Sequence, residues 1–475
     1  MKRLLLLAVP FLALVGSLPA DASISAAKVV ASPNAAVAKS PQYGLLQTPN
    51  SGKLSNLLMA IDCPEPNSCL SVGWFRSATG LDQTLIMSSS GATWKIIPSP
   101  NTLDQHNGLF AIDCLAPSSC IAVGESNDGR FSYPLLLRWD GISWTIAQEL
   151  LATPGRLRSV SCASATSCMA IGWGTEDRPL ALKWDGNLWT DSGLPLLPKD
   201  TVLNAVSCPT ETLCVSVGSF ARYLPIGMEA GAVTVLWDGS TWVSTENPVS
   251  YKRHNVRLSS VSCSSATSCT AVGEFEGTGL EYSGRSLILA WNEGTWSMTQ
   301  NPRFSERGSA LFAISCSSTT SCAVIGGRSG GGPFVISWND YEWREMLRTL
   351  VDETGRSYDL KSLSCESVSV CHIAGFLRPF SGLTSTSILR LSTRKGDILM
   401  DRGSLVTATK LTKSAGLVVP KGSKVSLSIA SSKKKVCKVG RASIKTVGKG
   451  TCSVKIVVTT KSKKKTSKTV TIKVG

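Results

Sequence analysis

Short apolar runs recur along residues 41–400, and clusters of Gly, Asn, Asp and Ser separate them. The runs are rich in Val, Ile, Leu and Trp, and none shows the i, i+3, i+4 spacing of an amphipathic helix. Such runs with turn residues between them predict β-strands. The chain is therefore predicted to be all-β over this range.

One repeat accounts for these strands. Seven times the chain reads L-x-[AS]-[VIL]-[SD]-C, then five residues, Cys and a short apolar stretch that usually ends in Gly, as in LFAIDCLAPSSCIAVG. An apolar segment ending in W-x4-W follows in most units, and the period is 46 to 55 residues. Four strands in a repeat of this length are typical of one propeller blade. Residues 41–400 are thus predicted to form a seven-bladed β-propeller.

The ends of the repeat array indicate how the ring closes. The last unit lacks a fourth strand, and the segment YGLLQTPN (43–50) aligns without gaps to the fourth strand of the first unit, WKIIPSPN (94–101). We expect the N-terminal segment to complete the last blade, because a closed ring leaves no unpaired edge.

These motifs carry a family resemblance. The SC-x5-CxAVG and WDGxxW signatures resemble those of uncharacterised secreted bacterial propeller proteins. The turn SSSGATW (88–94) is similar to the Asp-box hairpin of sialidase-like propellers, with Ser90 where the Asp belongs. The resemblance implies the fold and says little about activity.

Sixteen cysteines and the N-terminus indicate export. Lys2 and Arg3, the run LLLLAVPFLALVG and an A-x-A site at Ala20 and Ala22 predict a signal peptide over 1–22, followed by a linker over 23–40. Cysteines of an exported chain are expected to form disulfides. Metal binding would favour C-x2-C spacing or histidine partners, and the chain has three His. Seven pairs have C-x5-C spacing: Cys63/Cys69, Cys114/Cys120, Cys162/Cys168, Cys208/Cys214, Cys263/Cys269, Cys316/Cys322 and Cys365/Cys371.

The positive charge is concentrated at the C-terminus. The whole chain has a net charge of +16, and residues 401–475 contain seventeen Lys, two Arg and one acid. Alternating runs such as KVSLSIA and CSVKIVVTT predict a small β-sandwich there, and it resembles bacterial Ig-like modules. Cys437 and Cys452 are expected to pair across neighbouring strands.

Two interpretations of the C-terminal lysines remain open. They could attract an anionic wall polymer or membrane surface, or they could only keep the domain soluble. Nucleic-acid binding is disfavoured, because the segment has no Phe, Trp or Tyr for base stacking. The candidate polyanion-binding residues are Lys433, Lys434, Lys435, Lys461, Lys463, Lys464 and Lys465.

Motifs for catalysis or cofactor binding do not occur. The chain has no G-x-S-x-G, no H-E-x-x-H and no phosphate-binding loop before a helix, so no cofactor or metal is expected. His372 follows Cys371 in a predicted strand and is expected to be structural. The other histidines, His106 and His254, fall in predicted loops.

The candidate binding face is the one that carries the loops between the second and third strands, because these vary in length while the disulfide-bearing turns do not. Trp74 and Trp173 follow the second-strand Gly and are candidates for exposed aromatic residues. Glu125 and Glu274 occupy the same position in their repeats.

The leading hypothesis is a secreted binding protein with a carbohydrate or protein ligand. A carbohydrate-active enzyme and a structural cell-surface protein are the alternatives. Glu and Arg converging in a deep central cavity would favour the enzyme.

Overall fold

The structure is a computed structural model. It describes residues 42–474 apart from 92, 148–153, 176–177, 225–226, 250–255, 276–284, 300–307, 330–331, 339–342, 348–349, 351–355, 368–369, 378–382, 393–396, 401–404, 409–410, 413–418, 421, 430–434, 441–442, 448–449 and 461. The predicted signal peptide and linker lie outside the described residues.

Strands dominate the described residues before 393, as the apolar runs predict. They are β1 Gln42–Leu46, β2 Asn56–Glu65, β3 Ser68–Arg76, β4 Asp82–Ser90, β5 Thr93–Ile97, β6 His106–Ala116, β7 Ser119–Asn127, β8 Ser132–Trp139, β9 Trp144–Ile146, β10 Arg156–Ser164, β11 Ser167–Trp173, β12 Pro179–Trp184, β13 Trp189–Asp191, β14 Thr201–Thr210, β15 Leu213–Leu224, β16 Gly227–Trp237, β17 Trp242–Ser244, β18 Val256–Ser265, β19 Ser268–Phe275, β20 Arg285–Asn292, β21 Thr295–Met298, β22 Ser309–Ser318, β23 Ser321–Arg328, β24 Gly332–Trp338, β25 Trp343–Leu347, β26 Tyr358–Ser367, β27 Val370–Leu377 and β28 Ser385–Ser392.

These strands form four-stranded antiparallel sheets that follow one another along the chain. We number them sheet 1 (β2–β5), sheet 2 (β6–β9), sheet 3 (β10–β13), sheet 4 (β14–β17), sheet 5 (β18–β21), sheet 6 (β22–β25) and sheet 7 (β26–β28 with β1). The first strand of each sheet contacts the first strands of both neighbouring sheets, and β26 contacts β2. The series therefore closes on itself as a β-propeller.

The N-terminal strand closes the ring as predicted. β1 pairs antiparallel with β28, with Leu46 opposite Ile388. Beyond it, Asn50 Oδ1 accepts the backbone N–H of Thr386 at 3.0 Å. The aligned Asn101 accepts the N–H of Thr84 in sheet 1 at 2.7 Å. The gapless alignment of 43–50 with 94–101 thus reflects the same hydrogen bond in two sheets.

A ring of hydrogen bonds joins the sheets at their first strands. The Asp or Ser before the first Cys of each repeat accepts the backbone N–H of the first Cys in the next sheet, and this explains the [SD]-C motif. The seven pairs are Cys63 N to Ser364 Oγ (3.1 Å), Cys114 N to Asp62 Oδ2 (2.8 Å), Cys162 N to Asp113 Oδ2 (2.9 Å), Cys208 N to Ser161 Oγ (3.0 Å), Cys263 N to Ser207 Oγ (3.0 Å), Cys316 N to Ser262 Oγ (3.0 Å) and Cys365 N to Ser315 Oγ (3.2 Å).

Two members of this ring are adjacent carboxyl groups. Burial, and after it the neighbouring charge of Asp62, raise the pKa of Asp113 to about 7, against the hydrogen bond from Cys162. Burial also raises the pKa of Asp62, although three hydrogen bonds act in the opposite direction. Desolvation disfavours the charged form of a carboxyl group, so this pair binds protons more tightly than exposed aspartates do.

Each L-x-[AS] motif forms a β-bulge. In every first strand the register with the second strand shifts between the Leu and the Ala or Ser, for example between Leu157 and Ser159. The second-strand Gly lies against this bulge, and a Cβ at Gly172 would overlap the carbonyl oxygen of Arg156. The same overlap recurs at Gly73, Gly124, Gly218, Gly273, Gly326 and Gly375. The repeated Gly therefore makes room for the bulge.

Tryptophans hold the third and fourth strands of the sheets together. The two Trp of W-x4-W face each other across β8 and β9, with the ring centroids of Trp139 and Trp144 5.5 Å apart. Trp139 Nε1 donates to the carbonyl oxygen of Pro117, between the two cysteines of its repeat. The tryptophan pairs are therefore packing residues.

Disulfides join the first and second strands of every sheet. All seven predicted C-x5-C pairs are bonded, and they are Cys63–Cys69, Cys114–Cys120, Cys162–Cys168, Cys208–Cys214, Cys263–Cys269, Cys316–Cys322 and Cys365–Cys371. The second cysteine of each pair is buried and packs in an apolar cluster between its own sheet and the preceding one. Each bond therefore fixes one hairpin and also contributes apolar surface to the contact between two sheets.

The C-terminal residues form two further sheets. Their strands are β29 Asp397–Met400, β30 Leu405–Thr407, β31 Lys424–Ile429, β32 Cys437–Val439, β33 Ser443–Thr446, β34 Gly450–Thr459 and β35 Lys465–Val474. One sheet has the order β29-β35-β34-β31 and the other β30-β33-β32. Cys437 and Cys452 are bonded, as predicted. The bond joins the two sheets, so the expectation of neighbouring strands was wrong.

Within the described part of the chain, no helix is long and apolar enough to span a membrane.

Candidate ligand-binding site

The bulge residues of all seven sheets line one cavity of about 690 Å³ at the centre of the propeller. A bulge re-aims the side chain of its extra residue, and here each one reaches the central cavity. The seven residues are Met59, Phe110, Arg158, Asn204, Ser259, Phe312 and Lys361. The cavity therefore has a lining to which every repeat contributes one side chain.

Leu360 and four charged residues beside the bulges complete the lining. Arg156, Arg257, Glu274 and Asp359 also face the cavity. Together with Arg158 and Lys361, the lining has four cationic and two acidic side chains. Lys361 Nζ lies 3.0 Å from Asp359 Oδ1, so this lysine is neutralised locally.

Arg158 is the centre of a positive cluster. Its Nη1 donates to Asn204 Oδ1 at 3.3 Å, and Asn204 in turn donates to the carbonyl oxygen of Leu258 at 2.8 Å. Burial lowers the pKa of Arg158, and the positive charges of Arg156 and Arg257 lower it further, while Glu125 raises it. The guanidinium group stays charged at neutral pH, because arginine is effectively always protonated in proteins.

Aromatic side chains flank the charged ones. The guanidinium of Arg156 lies 5.9 Å from the ring centroid of Trp173. Phe110 and Trp74 both lie over Gly108, where a Cβ would be 3.6 Å from each side chain. Phe312 covers Gly327 in the same way and is 43% exposed. The cavity thus offers apolar faces from sheets 1, 2 and 6 and arginines from sheets 3 and 5.

The four predicted binding residues occupy equivalent positions beside this cavity. Trp74, Glu125, Trp173 and Glu274 each pair across the strands with the residue before the first-strand Leu. Glu274 lines the cavity directly, and Glu125 acts on Arg158 through its charge. All four are half-buried strand residues, so the expectation of exposed aromatic residues beside loops was wrong. The second strands continue past the Gly, and Trp74 lies against Gly108 of sheet 2.

The disulfide cysteines of the repeats form no part of the cavity lining. The bulge residue lines the cavity and the second-strand Gly lies against the bulge, whereas the second cysteine lies four residues before that Gly, next to the turn at the other end of the hairpin. At that end the side chains pack between sheets, and the buried sulfurs belong to the scaffold. The cysteines placed in this way are Cys69, Cys120, Cys168, Cys214, Cys269, Cys322 and Cys371.

Sequence reasoning missed the arginines. It named no arginine as a candidate and overlooked Arg156, Arg158 and Arg257 in the first strands. For Arg158 the signal was present in the variable position of L-x-[AS], because a variable residue at a fixed place in seven repeats marks one lining position per repeat. Arg156 and Arg257 directly precede the Leu of that motif.

The described candidate lysines are exposed. Lys463 and Lys464 lie in the turn between β34 and β35, Lys465 begins β35, and Lys435 precedes β32. Thr459 pairs with both Lys424 and Lys465, which places Lys424 at the same end of the sheet as the turn. Lys433, Lys434 and Lys461 lie outside the described residues. The sequence analysis did not single out Lys424.

His372 lies in the contact between sheets 7 and 1. Its Nδ1 is 3.0 Å from Glu366 Oε1 and 3.6 Å from both sulfurs of the Cys63–Cys69 disulfide. Burial and the charge of Arg390 lower its pKa to about 4, so the neutral ring donates a hydrogen bond to Glu366. The bonded sulfurs offer no thiolate to a metal ion, which is the form of cysteine that metals bind. His372 is therefore a buried structural residue, as expected.

The other two histidines lie elsewhere. His106 begins β6 and contacts Asp82, with Nδ1 3.1 Å from Oδ2. His254 lies outside the described residues.

Comparisons with known proteins find similarity among solved structures only. No family model and no curated relative matches the chain. YCF48 from Cyanidioschyzon merolae is 12% identical with a TM-score of 0.42, over 74% of this chain and 98% of its own. The polysaccharide lyase Uly1 is 9% identical with a TM-score of 0.46, over 72% and 91%. The six-bladed propeller lectin of Aleuria aurantia is 11% identical with a TM-score of 0.39, over 58% and 89%. The fold assignment rests on the strand pairing described above.

Proposed function

We propose that this chain is an exported binding protein, a seven-bladed β-propeller whose central cavity takes a carbohydrate ligand. An Ig-like C-terminal module holds it near an anionic envelope polymer or membrane surface. Eight disulfides support export, since such bonds form and persist in oxidising compartments.

The observation that carries the proposal is the convergence of seven bulge residues on one cavity. The scaffold around them is constant, with the same disulfide, bulge and Gly in each sheet, while the lining residue differs from sheet to sheet. A rigid frame that presents varied side chains at one place is typical of a recognition site. Aromatic, amide and hydroxyl groups in that lining suit the apolar faces and hydroxyl groups of sugars.

Phe312 provides the test of cavity binding. The full chain would be screened against an array of neutral and acidic oligosaccharides, and the best ligand titrated against Phe312→Ala and Phe131→Ala. Both rings are 43% exposed, but Phe131 lies outside the cavity lining. We expect Phe312→Ala to weaken binding about tenfold and Phe131→Ala to leave it unchanged. Equal binding by both variants would overturn the proposal.

The lysines at the β34–β35 turn provide the test of attachment. Their replacement in Lys463→Ser/Lys464→Ser/Lys465→Ser should reduce salt-sensitive adsorption to a teichoic acid or to anionic vesicles. The control is Lys53→Ser/Lys95→Ser/Lys199→Ser, which removes the same charge from exposed propeller positions. Equal losses of adsorption in the two variants would show that adsorption depends on net charge alone and would contradict a specific role for this turn.

A carbohydrate-active enzyme is the second candidate. Glu274 and Asp359 line the same cavity as three arginines, which is the convergence expected of an enzyme. Glycoside hydrolysis needs two carboxyl groups in defined roles, and Asp359 is already paired with Lys361. Binding therefore has the stronger support. Release of reducing ends from a bound oligosaccharide, abolished by Glu274→Gln, would establish the enzyme instead.

A further inference from the structure

We infer that the ligand of the central cavity is an acidic saccharide whose carboxylate group binds to Arg156 and Arg158. The inference rests on the proposed function and adds the chemical class of the ligand.

The two arginines differ from the other cations of the lining. Lys361 is paired with Asp359, and Arg257 stands opposite Glu274 in the strand register. Within the part of the chain that the structure describes, neither Arg156 nor Arg158 forms an ion pair with a carboxylate. Arg158 is hydrogen-bonded to a neutral amide, and Arg156 lies over an indole ring.

Gathering these guanidinium groups has an electrostatic cost. Arg158 is partly buried, and burial and both neighbouring arginines disfavour its charged form, against the smaller effect of the Glu125 charge. Like charges in a partly desolvated site repel one another, and an anion placed between them offsets that repulsion. The protein keeps the cluster at the position where all seven sheets converge, which points to a ligand anion.

The geometry of the donors selects a carboxylate. A guanidinium group is a planar fork whose N–H groups match the two oxygens of a carboxylate. Stacking on Trp173 and the hydrogen bond to Asn204 restrict the two forks. The same lining carries Phe110, from the neighbouring sheet 2, and Phe312, from sheet 6, where an apolar sugar face can pack.

The size of the cavity suits an oligosaccharide. Its volume of about 690 Å³ lies within the range of about 300–1,000 Å³ that is common for small-molecule sites. Ser259 and Asn204 add neutral hydrogen-bonding groups for sugar hydroxyls. A uronic-acid oligosaccharide combines the carboxylate, the hydroxyls and the apolar ring faces that this lining can bind.

The test uses a ligand pair that differs only in charge. Full-length protein would be titrated by calorimetry with trigalacturonic acid and with its methyl ester. The variants are Arg158→Gln, Arg158→Lys and the control Arg178→Gln, which removes the same charge from an exposed loop of sheet 3. The Lys463→Ser/Lys464→Ser/Lys465→Ser variant, run alongside, reports any contribution from the C-terminal lysines.

We expect the acid to bind at least tenfold more tightly than the ester. Arg158→Gln should lose about tenfold to a hundredfold in affinity for the acid and little for the ester, because one charge-assisted contact is removed. Arg158→Lys should fall between, and the control should bind as the unaltered chain does.

Each failure has a distinct signature. If the ester binds as well as the acid and Phe312→Ala weakens both, the cavity binds neutral sugars, and only the carboxylate assignment is wrong. Stronger binding of a sulfated trisaccharide would likewise mean that the arginines bind a sulfate group and not a carboxylate. Binding of the acid that is unaffected by both Arg158→Gln and Phe312→Ala would overturn the cavity site itself.

Discussion

The hydroxyl oxygen of Ser364 accepts a hydrogen bond from the backbone N–H of Cys63 at 3.1 Å, across 301 residues of chain. This contact joins the last sheet to the first and completes the ring of hydrogen bonds that links every pair of neighbouring sheets. The same hydroxyl group donates to Asp62 Oδ1 at 3.0 Å. Closure thus depends on a buried side chain as well as on the pairing of β1.

Replacing Ser364 should weaken the closure. In Ser364→Ala, Asp62 loses one of its three donors, and the Cys63 N–H keeps only Asp62 Oδ1, at 2.9 Å, as an acceptor. Each lost hydrogen bond contributes about 0.5–1.5 kcal/mol. We expect the free energy of unfolding in urea to fall by on the order of 1–2 kcal/mol. Ser118→Ala, at an exposed serine in the disulfide-bearing turn of sheet 2, is the control and should change stability little. If the Ser364 contact contributes nothing to stability, the two variants will have the same free energy of unfolding, which would contradict this prediction.

Asp113 should make stability depend on pH. Its pKa is raised to about 7 in the folded protein, above the ordinary value near 4. The folded state then binds the proton more tightly than the unfolded state does. The stabilising contribution is complete below about pH 4 and is lost as the pH rises through 7.

Asp113→Ser retains an acceptor for Cys162 and removes the carboxyl group. The unaltered protein should lose free energy of unfolding between pH 5 and pH 8, and Asp113→Ser should lose less. The difference between the two proteins should change by on the order of 1 kcal/mol in favour of Asp113→Ser, measured by urea unfolding. Asp140→Ser is the control, because Asp140 should have the opposite pH dependence. Hydrogen bonds from Ser143 and Ile142 lower the pKa of Asp140, so its contribution is present above about pH 4 and lost in acid. A pH dependence that Asp113→Ser does not alter would contradict the assignment.

Gly172 should tolerate no side chain. A Cβ there would overlap the carbonyl oxygen of Arg156, so Gly172→Ala has to displace the bulge that carries Arg156 and Arg158. Overpacking of this kind is destabilising by about 1–3 kcal/mol. Gly44→Ala, where a Cβ would meet no atom within 4 Å, is the matched control. The melting temperatures of the two variants measure the difference, and equal values would exclude a packing role for the glycine.

Asn50 should hold the closing strand. Asn50→Ala removes the acceptor of the Thr386 N–H, and we expect a loss of about 1 kcal/mol together with faster proteolysis near β1. Asn101→Ala removes the equivalent bond in sheet 1 and should cost similar stability without freeing a chain end. Mass spectrometry of limited digests distinguishes the two, and identical cleavage patterns would argue against a closing role.

Much of the fold could be predicted because its determinants are local and repeated. Apolar runs, turn residues and the C-x5-C spacing act within one hairpin, so they predict the strands and the seven in-repeat disulfides. The closing strand was also predictable, because 43–50 resembles the fourth strand of the first unit position by position. The Cys437–Cys452 bond was predicted as a pair but assigned to the wrong strands, because it spans two sheets.

The candidate site could be predicted only in part. Glu274 was identified from its place after the second-strand Gly, and the structure places it in the cavity lining. Arg156, Arg158 and Arg257 were missed because their side chains meet only when the ring has closed. Trp74 and Trp173 were expected to be exposed, and each is only partly accessible within the second strand of its sheet.

The sequence by itself determined the repeat, the strand order, the disulfides within each repeat and the segment that closes the ring, because each follows from short-range spacing or from likeness between units. Only the tertiary structure decided what the variable residue of L-x-[AS] does. A bulge depends on register with a partner strand, and a shared cavity depends on the arrangement of seven strands around one axis. Arg158 and Phe312 are 154 positions apart in the chain, and they line one cavity because their sheets belong to the same closed ring.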